Sequence, residues 1–167
     1  MTVDVLLVSL GSTHGWRVAD AALVESLERA GASVAVATAE RPREVRTLAL
    51  TDLGWARAAR RAAVRGIAEH APRSVLSSTS TAALFWPRPG AIRFDDLARN
   101  NRPGRHGVWQ RAVEARRVAA APLLVPMGFT AAGSVGEPPH VVVPPPIAST
   151  AAASGDAGRD IAAIIYA

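Results

Sequence analysis

The segment Ile92 to Glu114, IRFDDLARNNRPGRHGVWQRAVE, holds the densest set of chemically able side chains in the sequence. Two adjacent carboxylates, Asp95 and Asp96, are followed by Asn100, Asn101, Arg102, His106 and Trp109, with Pro103 and Gly104 constraining the backbone between them. Carboxylates and amides grip hydroxyl groups, an indole offers a ring face, and a guanidinium holds phosphate bidentately. A polar, constrained loop after a strand is where a site is expected. The same residues admit a structural account. Asp95 or Asp96 can pair with Arg102 or Arg105, and Arg111 with Glu114 as an ordinary i, i+3 surface pair.

Two further loops carry candidates. Gly11, Ser12, Thr13, His14 and Gly15 follow an apolar run, and Arg17 stands just beyond them. Glycine lets a backbone approach phosphate, N–H groups opening a helix favour an anion, and Arg17 can add a charge-assisted bond. The spacing is G-x-x-x-G, which matches neither the dinucleotide fingerprint nor the P-loop, and a plain tight turn is the competing account. The hydroxyl cluster Ser77 to Thr81 also follows an apolar run. Thr79, Ser80 and Thr81 can meet a sugar or a phosphate, and Ser80 or Thr81 suits the N-cap of a helix starting near Ala82.

Other chemistries are excluded or unsupported. The chain has no cysteine, which removes disulfides and thiolate metal ligands. The histidines at 14, 70, 106 and 140 show no helical metal-ligand spacing, no G-x-S-x-G elbow occurs, and no cofactor is expected. All nineteen basic residues are Arg, and sixteen of them fall between Glu40 and Arg117 against seven acids. A basic middle fits a phosphate or a peripheral membrane surface, and solvated helix faces account for it equally well. Aromatic platforms for bases are sparse, so no nucleic-acid partner is expected. The N-terminal apolar run is too short for a signal peptide or a membrane span, and the expectation is a soluble, cytoplasmic domain.

The elements that must position these residues alternate. Val3 to Leu10 reads as a buried strand, Arg17 to Ala30 as a helix closed by Gly31, and Ser33 to Thr38 as a second strand. This is the length of a βαβ unit, whose strands are parallel and whose crossover is right-handed. Thr51 to Ala71 is a long helix, with Leu53, Ala56, Ala63, Val64 and Ile67 available for packing. Strands follow at Ser74 to Thr79, Ala91 to Phe94, Leu123 to Val125 and His140 to Val143, with a helix at Gly107 to Ala121. The fold expected is α/β: an open, mostly parallel, Rossmann-like sheet with helices on both faces. Residues 1–146 form that domain, 147–160 have linker composition, and 161–167 (IAAIIYA) read as the first strand of a second domain, with an edge strand completing this sheet as the alternative.

Three stretches carry a resemblance to a known family. VLLVSLGSTHGWRVADAALVESLERAGASVAVAT is similar to the opening βαβ unit of the N-terminal domain of GT-B glycosyltransferases, in particular the family-4-like retaining group of high-GC bacteria. RPGAIRFDDLARNNRPGRHGVWQRAVEARRVAAAPLLVPM resembles a segment recurring in such proteins, and HVVVPPPI followed by IAAIIYA resembles the crossing into their C-terminal domain. The resemblance implies an acceptor-side lobe of an enzyme that moves a sugar from a nucleotide diphosphate-sugar to an unknown acceptor, with retention and without a metal. It implies that Gly11 to Gly15 approach the donor diphosphate, and that the donor-binding carboxylate lies in a C-terminal domain outside this chain. The lobe alone is then expected to be inactive. The family's frequent functional His after the fourth strand has no counterpart, since Ser78 to Thr81 stand there. The competing expectation is a non-enzymatic α/β module that binds a nucleotide or phosphate.

Overall fold

The computed structural model describes residues 2–135 and 138–145. Five parallel strands form one sheet in the order β2-β1-β3-β4-β5. They are β1 (Val5–Ser9), β2 (Val34–Thr38), β3 (Ser74–Ser77), β4 (Ala91–Phe94) and β5 (Leu124–Pro126). The helices are α1 (His14–Arg29), α2 (Leu48–His70), α3 (Ser80–Ala83), α4 (Ala98–Asn101), α5 (Val108–Ala120) and α6 (Phe129–Gly133), with a 3₁₀ turn at Arg105–Gly107. The expected α/β class and Rossmann-like open parallel sheet are therefore present. The expected strand at His140 to Val143 is reduced to an isolated parallel bridge, Leu124 with His140, extended by the Val143 N–H donating to Pro126 O. The linker 147–160 and the strand expected at 161–167 lie outside the described residues.

Strand register assigns the faces. Leu6 pairs with Val75, Leu76 with Ala91, and Ile92 with Leu124, so Leu6, Val75, Ile92, Phe94 and Leu124 share one face. Against it pack α2, through Ala58, Ala59 and Ala63, and the end of α5, through Val118 and Ala121. Helix α1 covers the opposite face through Leu23 and Leu27, against Leu7 and Leu76. Beyond α1 that face leaves an apolar groove of about 430 Å³, bounded by Leu27, Ala91, Val125 and Val143.

Small residues set the closeness of α2. A Cβ on Gly66 would stand 3.0 Å from the side chains of Leu6 and Ala37, so the helix lies near the sheet. The buried stripe is Asp52, Ala56, Ala59, Ala63 and Gly66. Val64, expected in the packing, is instead 46% exposed, because it lies off that stripe.

Three helix starts differ from expectation: α2 begins at Leu48 rather than Thr51, because the Thr47 hydroxyl accepts the Leu50 N–H and caps it there. Helix α1 begins at His14 rather than Arg17, since the Thr13 hydroxyl accepts the Trp16 N–H and caps the helix two residues after Gly11. The residue capping α3 is Thr79, whose hydroxyl accepts the Ala82 N–H at 3.1 Å, and neither Ser80 nor Thr81 has that role.

Candidate functional site

In a sheet of this order the connection leaving β1 runs to β2 on one side, while the connection leaving β3 runs to β4 on the other. The gap above the carboxyl ends of β1 and β3 is where open α/β sheets place ligands. A cleft of about 370 Å³ lies there. Its walls are the residues following three strands: Leu10 and Ser12 after β1, Thr79 to Thr81 after β3, and Asp95 and Asp96 after β4. The start of α2 supplies Leu48, Thr51, Asp52 and Trp55, α1 supplies Trp16, and Asn101, Arg102 and Gln110 close the remaining side.

The carboxylates have distinct duties. Asp52 binds Arg102 through two bonds, Nε to Oδ2 at 2.8 Å and Nη2 to Oδ1 at 3.4 Å. That hydrogen bond, ahead of any Coulomb contribution, holds the Arg102 guanidinium above its ordinary pKa. Asp96 turns the chain into α4: its Oδ1 accepts the Leu97 N–H at 2.8 Å and the Asn100 Nδ2 at 2.6 Å. Asp95 Oδ1 accepts only the Asp96 N–H. Asp95 is exposed, and among the described residues nothing donates to its second oxygen or to that of Asp96. Gln110 is 3% exposed, and its Oε1 likewise has no partner. Among the described residues the lining carries three carboxylates and one guanidinium, which is committed to Asp52. The cleft is therefore negative and rich in hydrogen-bond acceptors.

A second buried ion pair supports the floor. Arg93, in the middle of β4, is 1% exposed and donates to Asp20 of α1 at 2.9 Å. The Ser9 hydroxyl donates to the other Asp20 oxygen at 2.5 Å, and the Gly11 N–H donates to Ser9 Oγ. Burial pushes the Asp20 carboxyl up and the Arg93 guanidinium down, each opposed by the partner. The guanidinium carbon also stands 5.8 Å from the Trp16 ring centre. This network ties α1 to β4 and fixes the turn carrying Ser12.

The sequence-level candidates divide accordingly. Ser12, Thr79, Ser80, Thr81, Asp95, Asp96, Asn101 and Arg102 come together in the cleft. Of the first loop, Ser12 alone reaches it. Thr13 is the N-cap, His14 and Gly15 form the exposed first turn of α1, and Arg17 Nη1 donates to Gly11 O at 3.1 Å. Gly11 and Arg17 line a separate hollow on the α1 side. Asn100 is held by Asp96 away from the cleft lining. Trp109 stacks on Phe85, with ring centres 6.1 Å apart, and offers the cleft no face. His106 lies in the 3₁₀ turn, and its side chain is outside the described residues.

Both structural pairings proposed for this segment are replaced. Arg102 pairs with Asp52, not with Asp95 or Asp96, because α2 brings a buried carboxylate to it. Arg111 donates to the carbonyls of Arg102 and Gly104, which holds the loop, while Glu114 is buried and accepts the Ala98 N–H at 2.6 Å. Burial, with no cation in contact, pushes the Glu114 carboxyl up.

Sequence reasoning missed Leu10, Trp16, Leu48, Thr51, Asp52, Trp55 and Gln110. The signal for four of them was present: positions 48, 51, 52 and 55 share a helical face, and Asp52 is in phase with the buried alanines. Several arginines of the basic middle serve carbonyls rather than an anion. Arg60 donates to Phe85 O, Arg88 to Pro72 O and Arg73 O, and Arg117 to Leu84 O. Among the described residues no three His, Asp or Glu side chains gather as a metal site would require, and no helix is long and apolar enough to cross a membrane. Comparison of the chain with protein-family models, with curated proteins and with solved structures finds no match.

Proposed function

We propose that this domain is the acceptor-side lobe of a glycosyltransferase that uses a nucleotide diphosphate-sugar. The observation that carries the reading is the cleft at the β1/β3 divergence. It combines two indole rings with hydroxyl, carboxylate and amide groups, the combination that holds a hydroxylated ring by stacking and hydrogen bonding. Its negative balance suits a neutral or cationic acceptor better than a diphosphate, so the donor's anionic part is assigned to a second lobe outside this chain.

In the reaction proposed, an acceptor hydroxyl oxygen bonds to the anomeric carbon as the bond from that carbon to the diphosphate oxygen breaks. The hydroxyl proton leaves with the diphosphate or to solvent. The lobe's part is to hold the acceptor in line for transfer, which supplies rate through positioning.

The test is acceptor-dependent release of nucleoside diphosphate by the natural protein containing this lobe, across a panel of nucleotide-sugars and hydroxylated acceptors. Release that appears only with both substrates supports the reading, and none from any pair overturns it. A free-standing nucleotide-binding module would instead be stabilised by nucleoside diphosphate alone, by about 2.7 kcal/mol at one hundred times its Kd. A thermal shift of this chain separates the two.

A further inference from the structure

Resting on the acceptor reading of the cleft, the geometry points to an acceptor that carries an ammonium group, an amino sugar or aminocyclitol, held by Asp95 and Asp96 with Gln110 as a further acceptor. Two features converge on that class, the uncommitted carboxylates and an unpartnered amide. Among the described residues the lining holds two carboxylates that accept no hydrogen bond from a cation, since its one guanidinium is bound through two bonds to Asp52, and Arg93 and Arg102 act on Asp95 only by attraction at longer range. Each of those carboxylates spends one oxygen on the backbone turn and keeps the other unengaged among the described residues. Gln110 is 3% exposed and lines the same cleft, and its amide oxygen, itself shielded from solvent, accepts nothing.

A buried acceptor without a donor is costly, and a ligand that brings donors removes that cost. The terminal amide of Gln110 exchanges its oxygen and nitrogen by a half-turn, so it can present the oxygen to a bound donor. An ammonium supplies three donors and a cation in direct contact, which Asp95 and Asp96 lack among the described residues. The indoles of Trp16 and Trp55 add ring faces, which attract a cation and cover the apolar side of a sugar ring. A phosphorylated or carboxylated acceptor would meet the same carboxylates as repulsion. A divalent cation is the other species that two carboxylates attract, and a chelator in the binding experiment separates it from an ammonium.

The experiment is a chemical-shift titration of this chain, in buffer containing EDTA, with D-glucosamine, D-glucose and N-acetyl-D-glucosamine. At a pH where the amine is protonated, glucosamine is expected to bind about tenfold more tightly than either neutral sugar, the scale of one charge-assisted hydrogen bond. Asp95→Asn, an exposed change, should reduce the preference for glucosamine, since it removes one of the two carboxylates assigned to the ammonium. Gln110→Met should weaken all three sugars together. Equal affinity for the three, binding of none, or a preference undiminished by Asp95→Asn overturns the inference, as does binding that needs added magnesium. Transfer by the natural protein to neutral sugars with no amine preference overturns it too, and leaves the glycosyltransferase reading standing. Selective glucosamine binding with no transfer to anything overturns only that reading.

Discussion

The two buried ion pairs lie on opposite sides of the same strand ends and differ in what surrounds them. Asp20–Arg93 is sealed between α1 and the sheet, and its members touch Ser9 and the Trp16 ring. Asp52–Arg102 stands in the wall of the cleft, with Arg102 28% exposed. The sealed pair can act only on the protein, by fixing α1 and the turn to Ser12 in relation to β4. The open pair neutralises one carboxylate where a ligand would lie, and leaves Asp95 and Asp96 to set the charge. The same residue types thus serve as framework in one place and as part of a site in the other, and solvent access separates the roles.

The comparison is broken most severely at the sealed pair. Asp20→Ala leaves the Arg93 guanidinium buried without a counter-charge and is expected to cost about 3–5 kcal/mol in urea unfolding. Replacing both partners, Asp20→Leu with Arg93→Met, should recover most of that loss, and a double variant as unstable as the single one would show that the pair is not the cause. At the open pair, Arg102→Ala should cost only about 1–2 kcal/mol, because water reaches Asp52 in its place. The same variant adds an uncompensated carboxylate to the cleft and should strengthen binding of a cationic sugar.

Glu114 sharpens the contrast as a buried carboxylate with no cation in contact. Its folded-state pKa is raised by burial, so its titration favours the folded protein fully below pH 4.5, and that contribution is lost as pH rises through the raised value. Glu114→Gln keeps an acceptor for the Ala98 N–H and removes the charge. It should stabilise the chain by on the order of 1 kcal/mol at pH 7.5 and leave stability unchanged at pH 4. A gain of equal size at both values would count against burial of the charge as the reason. The smallest stability effect is expected at Asp95→Asn, within about 0.5 kcal/mol of the parent, since the residue is exposed and its turn bond can be kept by the amide.

Most of the sheet was legible in the order of residues. The run at Val5 to Val8 and the strand at Ala91 to Phe94 are bounded by glycine, proline and aspartate, and they fall where the pattern puts them. The placement of loops after strands was enough to bring Ser12, Thr79 to Thr81, Asp95, Asp96, Asn101 and Arg102 to one end of the sheet. Partnerships were much less legible. Asp52 lies 50 residues from Arg102, and Asp20 lies 73 from Arg93. Neither separation leaves a local trace, and for Arg102 the near neighbours Asp95 and Asp96 looked like the natural partners. Trp109 and Trp16 show the same thing: nothing in their immediate sequence tells which indole stacks on Phe85 and which faces the cleft.

The sequence by itself determined the alternation of strands and helices, the parallel sheet and the end of it at which polar loops gather, because these follow from periodicity, chain length and the handedness of the crossover. The tertiary structure alone decided which charges cancel, which carboxylates remain uncommitted and which rings line the cleft. Those outcomes depend on contacts between residues distant in the chain, and on desolvation that only packing creates.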